Sequence, residues 1–292
     1  MKRVVVIPAR YASTRLPGKP LAVIAGKPLI QWVYEGASTS TLKDEVLIAT
    51  DDPRIEDTAL CFGASVVVTS RDCASGTDRV YEAVKGSDAD IIVNVQGDEP
   101  LIRGDMIDRL FTVFEKEPLD MATLCSPLRD KSELESSHTV KVVIDQKGFA
   151  LYFSRSPIPF FQRPAGLPNY TDLDSSGDRG GSEKPHPRAG TRAYSEVRRG
   201  ARRSTPASGY PEGIHLKPNW YYKHIGVYGF SRAFLERFVN LPKGKLEETE
   251  SLEQLRALEA GYKIKVLIVD YDGISVDTPE DLERARLMLT GE

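Results

Sequence analysis

Near-continuous apolar runs, separated by helical patterns, constrain this chain more than any other feature. Val4-Val5-Val6-Ile7, Glu45–Thr50, Ala64–Val68 and Asp90–Val95 are short and rich in β-branched residues. Between them, Leu29, Trp32 and Val33 fall at helical spacing. Asp52-Pro53 offers a helix cap with proline at the first position, and Ser75–Lys85 reads as a further helix. Strands that are apolar throughout need cover on both faces, which a mainly parallel sheet with crossover helices supplies. The expected class is α/β: a doubly wound, Rossmann-like mixed sheet, mainly parallel, with helices on both faces.

From Met121 the pattern changes. Met121–Ser126, Val140–Asp145 and Phe149–Ser154 read as strands, and Gln146-Lys147-Gly148 suits a hairpin turn between the last two. An antiparallel element therefore flanks or extends the parallel sheet. Ile225–Phe230 reads as a strand, followed by a helix through Phe234, Leu235 and Phe238. Leu246–Gly261 reads as one amphipathic helix, with Leu252, Leu255 and Leu258 near one face and Gly261 as its stop. Lys263–Val269 is the last strand. Thr278 caps the last helix, with Pro279 in its first turn.

Composition narrows the function classes. The 292 residues are 40% hydrophobic and carry a formal net charge of -3, which argues against nucleic acid or an acidic membrane as partner. Cys61, Cys73 and Cys125 are odd in number and form no Cys-x-x-Cys pair. That spacing points away from a disulfide framework or a cysteine zinc site and towards the cytoplasm. The apolar start is too short for a signal peptide, and no stretch approaches a membrane span. Residues 162–218 are rich in Gly, Pro, Ser and Arg and lack periodicity, so they read as a disordered insertion. The basic run Arg198–Arg203 within it is read as solvated.

The chemistry concentrates where strands meet their loops. Pro8 is expected to end the first strand. The loop after it holds Arg10, Arg15 and Lys19 among small residues, a pattern suited to cradling phosphate at the ligand edge of an α/β sheet. Gln96-Gly97-Asp98 follows a second central strand at the same edge. Asp98, with Asp277 as the second carboxylate, suits Mg2+, which takes few carboxylates and completes its octahedron with phosphate and water. Ser75-Gly76 opens a helix that suits a phosphate or a base edge. No Cys/His pair, Ser-His-Asp set or histidine cluster supports covalent catalysis or another metal.

These residues carry a resemblance. PARYASTRLPGKPL, SGTDR from Ser75, VNVQGDEP, KVV…ALYFSR, HIGVYGF, LEQLRALEAG and VDTPEDLERAR resemble the CMP-Kdo synthetases, the 3-deoxy-manno-octulosonate cytidylyltransferases. The resemblance implies a single cytidylyltransferase domain over 1–292 of the nucleotide-diphosphosugar transferase type, usually a homodimer. It implies transfer of CMP from CTP to Kdo, activating Kdo for lipopolysaccharide synthesis. Under it, Arg10, Ser13 and Lys19 would hold the triphosphate, with Ala9, Ser75, Gly76 and Gln96 near cytidine. Asp98 and Asp277 would bind magnesium. Arg155, His224, Tyr228, Glu253 and Gln254 would line the sugar-acid pocket. A cytidylyltransferase for a related acid (sialic acid or amino-Kdo) is the nearest alternative. A nucleotide-binding regulator without turnover is a more distant one.

Overall fold

The computed structural model describes residues 1–12, 16–160 and 221–291. Strand β1 (Arg3–Ala9) leads through a short 3-10 turn (Lys19–Leu21) into a small hairpin, β2 (Val23–Ile24) and β3 (Lys27–Pro28). Then follow α1 (Leu29–Ser38), β4 (Glu45–Thr50), α2 (Pro53–Cys61), β5 (Ser65–Val68), α3 (Gly76–Val84), β6 (Ile91–Val95) and α4 (Gly104–Lys116). Next come β7 (Met121–Pro127), α5 (Lys131–Glu135), β8 (Lys141–Ile144) and β9 (Ala150–Ser154). After the second break lie β10 (Tyr222–Ser231), α6 (Arg232–Val239), α7 (Lys245–Glu250), α8 (Leu255–Glu259), β11 (Ile264–Ile268) and α9 (Pro279–Thr290). No helix among the described residues is long and apolar enough to cross a membrane.

The main sheet runs β11-β7-β10-β6-β1-β4-β5, with β8 pairing β10 and β9 pairing β8. The pairs β1/β4, β1/β6, β4/β5 and β7/β11 are parallel, whereas β10 is antiparallel to each of its neighbours. Alternation along β1 explains why both faces need cover. Val5 and Ile7 join a core with Ile30, Ile55 and Phe111 from α1, α2 and α4. Val4 and Val6 join the opposite one, with Val80, Phe234 and Leu255 from α3, α6 and α8. The mixed, mainly parallel α/β sheet and its antiparallel flank are thus present.

Three sequence expectations need correction. Pro8 does not end β1, which stays in register with β4 through Pro8↔Ala49 and Ala9↔Thr50. On its other side β1 pairs with β6 only as far as Val6, so the proline falls where the ladder is one-sided. The strand expected from Ala64 begins at Ser65 and lies at the sheet edge, with Val68 62% exposed. Leu246–Gly261 is two short helices rather than one, because Ser251 takes the left-handed conformation (φ 52°, ψ 48°). The break leaves residues 251–254 as a connector. The hairpin β2/β3 and helices α4 and α5 were not anticipated. The insertion at 162–218 lies outside the described residues.

A third, smaller cluster brings the chain's end to its beginning. Val276 and Ala285 pack with Ile24 of β2 and Leu29 of α1, and Leu16, Trp32 and Leu282 add to them. A capping box fixes the start of α9, with Thr278 accepting from the Asp281 amide and Asp281 accepting from the Thr278 amide.

The aromatic packing under β10 supplies a stability test. Phe230, Phe234 and Phe238 are each 1% exposed and their rings lie 5.7–6.5 Å apart. Phe230→Ala is expected to cost about 3–5 kcal/mol, read as a lower denaturant midpoint with an unchanged slope.

Candidate functional site

The carboxyl ends of β1 and β6 meet closely. A side chain at Gly97 would stand 3.0 Å from the Pro8 carbonyl, and one at Gly76 would meet Pro8 and the Gln96 amide at 3.5 and 3.6 Å. Ala9 (at the end of β1), Gly76 (opening α3) and Gln96 (after β6) are therefore neighbours. Ser75 caps α3, accepting from the Asp78 amide. Arg10 is exposed just beyond β1. The loop that follows is closed at its base by the Gly18 amide donating to the Tyr11 carbonyl at 3.1 Å, with Gly18 at φ +70°. Ser13 and Arg15 lie outside the described residues.

Lys19 forms the centre of the site. Its ammonium donates to Asp98 Oδ2 at 2.6 Å and to Asp277 Oδ1 at 3.1 Å. The Asp98 carbonyl accepts from the Val276 amide at 2.9 Å, which explains how a residue before α9 reaches the end of β6. Burial works against the Lys19 charge, but the two carboxylates outweigh it and hold its pKa above the ordinary lysine value. No group of three or more His, Cys, Asp or Glu side chains suited to a metal occurs among the described residues. Asp98 and Asp277 form a pair of hard oxygen donors, the number a magnesium ion takes when phosphate and water complete its shell.

Beside this junction, on the β10 side, opens a cavity of about 900 Å³; a smaller one of about 500 Å³ lies apart from it, between α3 and the segment after α6. The larger brings together Gln96, Asp98, Arg155, His224, Tyr228, Glu253, Gln254 and Asp277, eight of the residues singled out in the sequence. Its volume falls within the range of small-molecule sites, roughly 300–1,000 Å³. Pairing of β10 with β7 shifts between Ile225 and Tyr228, an irregularity that bends a strand locally. His224 and Tyr228 flank it, with ring centroids 5.3 Å apart.

Burial sets the protonation of this cavity. It pushes His224 down to about 3, so the imidazole is neutral at physiological pH. The Thr123 hydroxyl donates to the Val227 carbonyl at 2.8 Å and lies 2.9 Å from His224 Nε2. With its proton so used, Thr123 accepts from Nε2–H, and Nδ1 remains the acceptor nitrogen. Burial also raises Glu253, against hydrogen bonds from the Thr77 and Ser75 hydroxyls and the charge of Arg256. The Glu253 carboxyl thus ties α3 to the 251–254 connector. Gln254 is 3% exposed, and its Nε2 has no hydrogen-bond partner among the described residues. The Arg155 guanidinium donates to the carbonyls of Glu250 and Ser137 at 2.8 and 3.0 Å.

Lys223 and Glu99 are cavity residues that sequence reasoning did not single out. Lys223 is 8% exposed and donates to Glu133 at 2.7 Å and Asp272 at 3.3 Å, joining α5 to the segment after β11. It lies two residues before the strand read from the sequence, so no apolar pattern marked it. Glu99, next to Asp98, is pushed up to about 8 by burial and by the Asp98 charge, while Tyr271 donates to it at 3.1 Å.

The family model described as cytidylyltransferase matches residues 4–264. The chain is 43% identical to the 3-deoxy-manno-octulosonate cytidylyltransferase of Thermodesulfovibrio yellowstonii, covering 99% of this chain and 98% of the relative. It is 41% identical to the 8-amino-3,8-dideoxy-manno-octulosonate cytidylyltransferase of Shewanella frigidimarina, covering 99% of each. Among solved structures it is similar to a CMP:2-keto-3-deoxy-manno-octonic acid synthetase complexed with CTP, with TM-score 0.77, 38% identity, and 100% and 99% of the two chains covered.

Two tests follow from the electrostatics. Asp98→Asn is expected to lower the Lys19 pKa, read by titration of its ε-carbon resonance, because burial then meets one carboxylate instead of two. Glu99 binds its proton more tightly folded than unfolded, so its contribution is full below pH 4.5 and declines as pH rises to about 8. Glu99→Gln is expected to remove that part of the fall, measured as unfolding free energy against pH.

Proposed function

Because the chain belongs to the cytidylyltransferase family, we propose that it transfers CMP from CTP to 3-deoxy-manno-octulosonate, giving CMP-Kdo and pyrophosphate. The observation that carries this reading is the junction of Lys19 with Asp98 and Asp277 beside a cavity lined by Arg155, His224, Tyr228, Glu253 and Gln254. The sugar acid's C2 hydroxyl oxygen attacks the α-phosphorus of CTP. The bond from that phosphorus to the β-phosphate bridging oxygen breaks, and pyrophosphate leaves with the electron pair. The hydroxyl proton passes to solvent water as the new P–O bond forms.

Charge develops on phosphate oxygens during this step, so fixed cations and orientation matter more than a side-chain nucleophile. Arg10, Ser13 and Lys19 hold the triphosphate in this reading, and Ala9, Ser75, Gly76 and Gln96 border the nucleoside. Arg155 supplies the positive charge for the sugar acid's carboxylate. Neutral His224 offers Nδ1 as an acceptor, and Gln254 offers an unsatisfied amide to a sugar hydroxyl. Asp98 and Asp277 would hold Mg2+, which acidifies a bound hydroxyl and draws charge from phosphate oxygens. The remaining parts of the reading are a single domain over 1–292, a homodimer, and a place in the cytoplasm. The three free thiols and the family resemblance support them.

The relatives named for the 8-amino acid make that sugar the second reading. Pyrophosphate release with CTP and magnesium, run side by side with the two acids, separates them. Release is expected with Kdo and to require both substrates, and Asp98→Ala is expected to lower kcat/KM by at least ~100-fold. Release with the 8-amino acid alone moves the substrate but keeps the reaction. Silence with both acids, with CTP still bound, overturns the enzyme reading.

A further inference from the structure

We propose that Lys141, which does not line the cavity, is a positioning residue that fixes the sugar-acid wall by holding the carbonyls of Ser136, Thr139 and Arg155 together. The side chain opens β8 and is fully buried. Its ammonium donates to the Ser136 carbonyl at 2.8 Å, to Thr139 at 2.6 Å and to Arg155 at 2.5 Å. Those three donors use the whole hydrogen-bonding capacity of a lysine. All three acceptor residues line the large cavity.

The grip is reinforced from the other side. The Arg155 guanidinium donates to Ser137, within the loop that Lys141 holds, and to Glu250 and Ser251 at the connector carrying Glu253 and Gln254. The carbonyl of Val140, the residue before Lys141, accepts from the His224 amide at 2.8 Å. Lys141 therefore sits at the crossing of the segments that present Arg155, His224 and the connector. Burial, with the Arg155 charge adding to it, pushes its pKa down to about 8, so the ammonium survives at neutral pH in spite of its surroundings. A compact ammonium on a flexible stem reaches three carbonyls that converge on one point; the planar fork of arginine does not.

The inference rests on the sugar-acid reading of the cavity, and the experiment separates the two. Full-length wild type, Lys141→Met and Lys141→Gln are compared in KM for CTP, KM for the sugar acid, and hydrogen exchange over 136–139 and around Arg155. Lys141→Met is expected to raise the KM for the acid and lower its kcat/KM by about 100-fold, with the KM for CTP unchanged and faster exchange in those segments. Lys141→Gln keeps two donors and is expected to fall between, which also serves if the methionine variant does not fold. Equal losses for CTP and acid, or unchanged KM and exchange, overturn the proposal. Wild type silent with both acids sinks the function instead, and the exchange comparison still decides the role of Lys141.

Discussion

One ammonium holds the site together. Lys19 draws in carboxylates that lie 79 and 258 residues away in the chain, and two aspartates side by side would repel without a cation between them. The pair costs desolvation, since the Lys19 side chain is only 16% exposed, and shared attraction to both carboxylates offsets it. The backbone supports the same arrangement through the Val276 amide on the Asp98 carbonyl. Packing of Val276 and Ala285 on Ile24 and Leu29 then anchors α9 to the first loop's neighbours. Electrostatics, ladder ends and a small apolar cluster converge on one point.

From that junction the cavity extends to groups whose protonation burial has shifted. His224 is neutral, and Glu99 holds its proton near neutrality, so these two act through hydrogen-bond direction rather than charge. Nearby lysines and arginines are spent on specific partners. Lys223 links α5 to the segment after β11, and Arg256 pairs with Glu247 at 2.6 and 2.7 Å while lying over Phe238. Thr77 on α3 donates to Glu253, which links that helix to the 251–254 connector.

The strands were legible because burial on both faces leaves an unmistakable apolar run, and β1, β4 and β6 lie within a few residues of where the runs place them. The residues at their carboxyl ends were legible for the same reason: Lys19 and Asp98 follow strands whose ends are fixed by topology. Asp277 took its place beside a marked helix cap. His224 and Arg155 were legible only through family resemblance, since a histidine or arginine next to a strand has many ordinary uses. The break at Ser251 was hidden, because Leu252, Leu255 and Leu258 keep helical spacing across it and serine carries no mark of a left-handed backbone. Lys141 and Lys223 were hidden too. Whether a lysine in a strand is solvated or buried depends on carbonyls and carboxylates brought by distant segments.

The position of Asp277 also bears on how the protein is made. That carboxylate follows β11, the last strand of the sheet, so during synthesis the strands leave the ribosome before it does. The two layers around β1 can assemble on a nascent chain while the acidic pair is still half built. The contact between Lys19 and Asp277 therefore closes only after the last strand of the sheet has been made, later than the layers that surround β1.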